Sequence, residues 1–157
     1  MKVAIIGGGG RVGICAGFAL QCGGIASEII LNDIAADLVQ GEALDLLHGT
    51  ALLHDQRIYV GDMKAVAQAD IVIITAGLRR QPDESRLDLI NRNVSLFLTV
   101  LHDLQSAGLR SDAILLVVSN PVDILTHLAV QGSGLSQRQV IGLGTLLDTA
   151  RFCSLIA

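Results

Sequence analysis

The amino-acid sequence predicts an α/β protein built on a doubly wound, parallel, six-stranded sheet. Three observations carry that reading. Six short apolar runs recur along the chain, several without the alternation of a half-exposed strand; helical patterns lie between them; and the first run ends in four consecutive glycines, Gly7 to Gly10. Strand, helix and strand repeated to the end of a chain assemble into such a sheet through right-handed crossovers.

The predicted strands are residues 3–6, 28–31, 57–60, 70–75, 113–119 and 139–142. Residues 11–21, 35–48 and 85–107 read as helices. In the last, Leu87, Ile90, Val94, Phe97, Leu101 and Leu104 step by three and four, while Asp88, Arg92, Ser95 and Thr99 fill the opposite face. Pro121 fixes the start of a further helix, and Asp148 and Arg151 share one face of another. We find no internal repeat or proline-rich linker. Residues 1–144 are expected to form a dinucleotide-binding domain, and residues 145–157 to begin a connecting helix toward a substrate domain outside the chain.

Composition narrows the function classes. With 157 residues, 51% of them hydrophobic, the chain can bury a full core as one domain. A net charge of -4, eleven scattered basic residues and 3% aromatic content exclude a nucleic-acid surface. Apolar runs such as "AILLVV" fall far short of the roughly 18 residues that cross a membrane. The N-terminus lacks the pattern of a secretory signal. Cys15 and Cys22 lie two helical turns apart, too far to bridge, so a reduced, cytoplasmic setting is expected, with the three cysteines acting as small core hydrophobes.

A strand that enters a glycine-rich turn and leaves as a helix gathers free backbone N–H groups and the positive end of a helix dipole at one point, which suits a pyrophosphate. Two spacings fit: GxGxxG as Gly8, Gly10 and Gly13, or GxxGxxG as Gly7, Gly10 and Gly13. Asp33 closes the next strand 20 residues after Gly13, where a carboxylate accepts the ribose hydroxyls of an adenosine. A 2'-phosphate beside that carboxylate would be repelled by about 4 kcal/mol at 4 Å and an effective dielectric near 20, so NAD is expected over NADP. Arg11 could assist a phosphate or stand in solvent. The phosphate loop of an NTPase is absent, because Ile14 follows Gly13, and a short-chain reductase is excluded because Met63, not lysine, stands four residues after Tyr59. No metal site is expected.

"TAGLRRQPDESRLDLINRN" (residues 75–93), "SNPVDILT" (119–126) and "VIGLGTLLDTARF" (140–152) resemble the signature segments of the malate and lactate dehydrogenase family, in the same order, and "GEALDLLHG" (41–49) is similar to its third-helix motif. The resemblance covers essentially the whole chain. It implies the Rossmann NAD-binding fold and a hydride transfer between NAD and a small 2-hydroxy acid, with cofactor contacts from Gly7, Gly8, Gly10, Arg11, Val12, Gly13, Asp33, Thr75, Ala76, Gly77, Asn93, Val118, Ser119 and Asn120. The "GGGGRVG" loop is close to that of an archaeal malate dehydrogenase branch. Arg80 occupies the specificity position, where arginine implies malate or oxaloacetate as substrate and glutamine lactate. Arg86 resembles the arginine that polarises the ketone oxygen, Asn120 the asparagine that bonds substrate, Arg151 the clamp on the distal carboxylate, and Asp148 the orienter of a catalytic histidine. Asp83 departs from the family pattern, which has glycine there.

That histidine is not in the chain. His48, His54, His102 and His127 all fall outside the substrate motifs. The expected function is therefore malate dehydrogenase, represented by an NAD-binding half that binds cofactor but turns over poorly alone, since a positioned general base contributes about two to four decades. A lactate dehydrogenase and a stand-alone NAD-binding module are the alternatives. The resemblance further implies a homodimer or homotetramer.

Overall fold

Strands that are apolar on both faces must be covered on both faces, and the computed structural model, which describes residues Met1–Ala157, shows how the chain does so. Six strands pair in parallel in the order β3-β2-β1-β4-β5-β6: β1 is Lys2–Ile6, β2 Glu28–Asn32, β3 Arg57–Val60, β4 Ile71–Ile74, β5 Ile114–Val117 and β6 Val140–Gly142. Register sets Ile5 between Leu31 and Ile73, and Ala4 between Ile30 and Val72. The chain winds outward from β1 in one direction to β3 and then, after crossing back, from β4 to β6. This places a topological switch point between β1 and β4.

Alternate residues feed two cores. Ala4, Ile6, Ile30, Val72, Ile74 and Leu115 point to the face covered by α3 (Met63–Ala67), α4 (Arg86–Ser106) and α5 (Val122–Gly132). Val3, Ile5, Ile29, Leu31 and Ile73 point to the face covered by α1 (Arg11–Gly23) and α2 (Ala36–Gly49). The last helix, α6 (Leu146–Ile156), buries no residue. No helix is long and apolar enough to cross a membrane.

Local chemistry sets the helix ends. Gly24 adopts a left-handed conformation at φ 60° and closes α1, while the Ser85 hydroxyl accepts the Asp88 N–H at 3.1 Å to open α4. Every predicted strand is present, with the fourth and fifth shorter than expected, ending at Ile74 and Val117. Three short elements escaped the sequence reading: α3, where the Asp62 side chain accepts the Ala65 N–H at 2.9 Å, and the 3-10 turns Thr50–Leu52 and Gln137–Gln139. Pro121 caps α5 rather than occupying its first turn, and the Asn120 carboxamide oxygen accepts the Val122 N–H at 3.4 Å.

The cysteines correct an expectation. Cys15, Cys22 and Cys153 are all exposed and free, because the buried stripe of α1 runs through Gly13, Gly17 and Gln21. Cys15 and Cys22 face solvent beside Phe18 instead of filling the core.

Candidate functional site

The glycine run forms the bend from β1 to α1 at the switch point. Gly7 has φ 87°, and a Cβ there would lie 2.6 Å from the Ala76 nitrogen, so glycine is required twice over. A Cβ on Gly13 would collide with the Gly7 carbonyl, which fixes Gly13 as the close-packing glycine of helix against strand. Gly10 is the exposed N-cap, and a Cβ on it would meet only the Gly7 oxygen, at 3.2 Å. These roles decide between the two spacings in favour of Gly7, Gly10 and Gly13. Gly8 is a buried packing position against Leu31.

The N–H groups of Arg11, Val12 and Gly13 meet no acceptor, and α1 has no acidic residue in its first turn. Unpaired donors, a helix dipole and a bare Gly10 make a cradle that fits a pyrophosphate. Beside it, Asp33 Oδ2 accepts the Gly9 N–H at 3.1 Å and Oδ1 the Ala35 N–H at 3.0 Å. Each oxygen keeps a lone pair for a ribose hydroxyl.

A cleft of about 280 Å³ runs from this turn toward α4. Of the residues singled out from sequence, Gly7, Gly10, Asp33, Thr75, Ala76 and Gly77 line it. Ile34, Met63, Leu96, Thr99, Val100 and Asp103 complete its far wall and were missed. The signal was present in α4, where Leu96, Thr99, Val100 and Asp103 repeat at three and four. Thr99 is exposed, as the amphipathic pattern predicts, while also lining the open cleft. A second hollow, of about 350 Å³, lies between α5 and β6, lined by Asp123, Thr126, His127 and Gln137 among others. Asp123 puts a carboxylate in the first turn of α5 beside it, which opposes a pyrophosphate there, whereas the cleft has the bare start of α1 and Asp33.

Side chains stitch the rim of the cleft together. Thr75 Oγ1 donates to the Gly7 carbonyl at 3.2 Å, Ser119 Oγ to the Ala76 carbonyl at 2.6 Å, and Asn32 Nδ2 to the Gly61 carbonyl at 2.8 Å. Asn93 is no surface asparagine: it is 5% exposed, its Oδ1 accepts the Leu78 N–H at 2.8 Å, and its Nδ2 donates to the Leu89 carbonyl at 2.9 Å. It holds the segment after β4 without lining the cleft. Val118 and Ser119 sit at the end of β5, Ser119 buried and Asn120 exposed.

The loop carrying Arg80 is organised by Glu84. Its carboxylate accepts from Arg92 at 2.6 Å and from the Gln81 N–H at 2.9 Å, and its carbonyl accepts from Arg80 Nε at 2.9 Å. The Gln81 N–H and the Arg92 guanidinium hold the Glu84 carboxyl below its usual range. Asp83 has φ 63°, the left-handed region that glycine enters at no steric cost, in keeping with the glycine expected at this position from the sequence resemblance. Arg86 is exposed in the first turn of α4. Arg151 pairs with Asp148 at 3.0 Å on the exposed face of α6, as a local ion pair. No hydrogen bond or ion pair joins Arg80, Arg86, Asn120 and Arg151 to one another. All four histidines are exposed.

The sequence pattern of the lactate/malate dehydrogenase NAD binding domain matches residues 1–142. The chain belongs to this family. L-lactate dehydrogenase 1 of Clostridium acetobutylicum is 47% identical over 151 residues, covering 96% of this chain and 47% of that protein. L-lactate dehydrogenase of Priestia megaterium is 44% identical over 156 residues, covering 99% and 48%. The ligand-bound crystal structure of minor L-lactate dehydrogenase from Enterococcus mundtii superposes with a TM-score of 0.94 at 39% identity, over 99% of this chain and 49% of that one. The chain thus spans about half the length of the curated relatives it matches. As the family's NAD-binding domain it takes NAD as cofactor, and the cradle described above fits it. The malate expectation finds no support in these relatives, whose names are L-lactate dehydrogenases.

Proposed function

We propose that the chain is the cofactor-binding half of an NAD-dependent L-lactate dehydrogenase. The observation that carries this reading is identity of 41–47%, sustained over nearly the whole chain, to proteins named L-lactate dehydrogenase. The dinucleotide supplies the hydride acceptor when bound. The Gly10 turn and the start of α1 bind the pyrophosphate, Asp33 orients the adenosine ribose, and Asn93 fixes the Leu78 segment. Arg86 polarises the carbonyl of a 2-oxo acid, Asn120 bonds the same oxygen's neighbourhood, and Arg151 grips the carboxylate. Asp148, Arg151's partner in this half, orients a histidine supplied by a substrate domain.

Arg80 supports a second reading, malate and oxaloacetate, because a free guanidinium would pair with a second carboxylate. Its Nε–H is committed to the Glu84 carbonyl, which favours a role in shaping the loop. A continuation beyond α6 into the substrate domain, assembly with identical chains and a cytoplasmic setting belong to the same proposal; the exposed Leu146, Phe152 and Leu155 of α6 support the first two. Titration of the chain with NADH tests the cofactor half. Assay of the full-length enzyme with pyruvate and oxaloacetate tests the substrate: a kcat/KM favouring pyruvate upholds the lactate reading, and one favouring oxaloacetate transfers the assignment to malate.

A further inference from the structure

The Glu84 side chain is only 8% exposed although it belongs to the loop between β4 and α4, and every polar group of the residue is engaged. Its Oε1 accepts from Arg92 Nη1 at 2.6 Å and its Oε2 from the Gln81 N–H at 2.9 Å. Its own N–H donates to the Gln81 carbonyl at 3.3 Å, and its carbonyl accepts from Arg80 Nε at 2.9 Å. The left-handed backbone of Asp83 turns the chain so that these bonds can form. Arg80 is thus held folded along its own loop, by a tie whose far end is anchored on α4.

We propose that Glu84 is a specificity-determining positioning residue: through its ion pair with Arg92 it keeps Arg80 folded on the loop, so that Arg80 does not grip the second carboxylate of a 2-oxo dicarboxylic acid. The proposal rests on the lactate reading above. A guanidinium grips a carboxylate through two parallel N–H bonds, either from its Nε side or from its two terminal nitrogens. The Glu84 carbonyl takes the Nε side, and a bond at the base of the planar head also fixes where the terminal nitrogens stand. Carrying the head to a ligand elsewhere costs that bond, and the carbonyl is itself held by the Glu84 carboxylate on Arg92 and Gln81. Pyruvate has a single carboxylate, already assigned to Arg151, whereas oxaloacetate offers a second. An arginine at position 80 is therefore compatible with a monocarboxylate substrate while the tie holds.

The test is kcat/KM of the full-length enzyme for oxaloacetate and for pyruvate in wild type, Glu84→Gln and Arg92→Gln, each with and without Arg80→Gln. Both single changes break the same ion pair from opposite ends, and each leaves a side chain of similar length. A hydrogen bond between charged groups, discounted for the partial exposure of Arg92, corresponds to a rise of about tenfold in the ratio of oxaloacetate to pyruvate use. With Arg80→Gln already present the rise is expected to vanish, whereas a general loss of loop structure would lower both substrates whether or not Arg80 is there. In the chain itself, the Nε–H proton of Arg80 should exchange with solvent more slowly in wild type than in Glu84→Gln, as read by nuclear magnetic resonance. If wild type favours pyruvate but the ratio is unchanged in both variants, or rises equally without Arg80, the role of Glu84 is overturned while the lactate reading stands. Equal exchange of the Arg80 proton in the two proteins overturns it as well. A wild type that favours oxaloacetate overturns both.

Discussion

Asp33 Oδ2 accepts the N–H of Gly9 at 3.1 Å, so the carboxylate proposed to orient the ribose also holds the glycine turn in place. Selection of the cofactor and shaping of its phosphate cradle are therefore coupled in one side chain. Asp33→Ala is expected to weaken NADH at least tenfold and to shrink the preference for NADH over NADPH, because repulsion of a 2'-phosphate, about 4 kcal/mol before screening, disappears. Parallel titrations with both reduced cofactors decide it. A preference that survives the substitution would remove Asp33 from ribose recognition.

Gly10 and Gly13 should separate binding from stability. A methyl at Gly13 runs into the Gly7 carbonyl, so Gly13→Ala is expected to cost about 1–3 kcal/mol in urea unfolding. At Gly10 φ is -79° and an added Cβ meets only the Gly7 oxygen, at 3.2 Å, so Gly10→Ala should lower the unfolding midpoint less than Gly13→Ala does while NADH affinity falls sharply. Equal effects of the two changes on stability would contradict the roles assigned to them.

Asn93→Ala leaves the Leu78 N–H without its partner, while the Leu89 carbonyl keeps the helical N–H of residue 93. The expected loss is about 1–3 kcal/mol, with faster amide exchange at Leu78 than at residues of β4. Unchanged exchange at Leu78 would show that the segment is held by something else.

Tyr59 is the only tyrosine and the chain has no tryptophan, so phenolate absorbance reports on it alone. Burial and the hydrogen bond it donates to Glu28 at 2.6 Å raise its pKa from 10.0 to about 12. Because the folded value is the higher one, the associated stability is present below the ordinary tyrosine range and is lost as pH rises toward about 12. For Glu28 itself burial pushes the carboxyl up, but the Tyr59 hydroxyl and the charges of Lys2 and Arg57 outweigh it and leave the value lowered. Alkaline titration should show a late midpoint, and Glu28→Gln should bring it back toward 10.0. A midpoint near 10.0 in wild type would refute the pairing.

The parallel strands were legible because unbroken apolar runs such as residues 71–74 have no other stable placement than a sheet covered on both faces. The glycine turn and Asp33 were legible because backbone chemistry restricts which residues can stand there. α3 was not, since five residues carry too little periodicity to signal a helix, and its Asp62 cap is the one cue. The α4 wall of the cleft was hidden for a different reason: that helix buries one face in the core and lends another to the cleft, and nothing in the sequence separates an exposed residue that lines a cleft, such as Thr99, from one on open surface. Cys15 and Cys22 were misplaced because small glycines, not cysteines, let α1 approach the sheet. Substrate choice rests on Arg80, a long side chain in an exposed loop, where sequence position says little about which of two acceptors the guanidinium meets.

The bonds from Asn32, Thr75 and Ser119 join each strand end to the loop beside it, which makes the seat a continuous frame. Such a frame is complete before any guest arrives, so little chain ordering accompanies capture of the adenosine end. The span around Asp83 lies outside that frame and is tied separately, through Glu84 to Arg92.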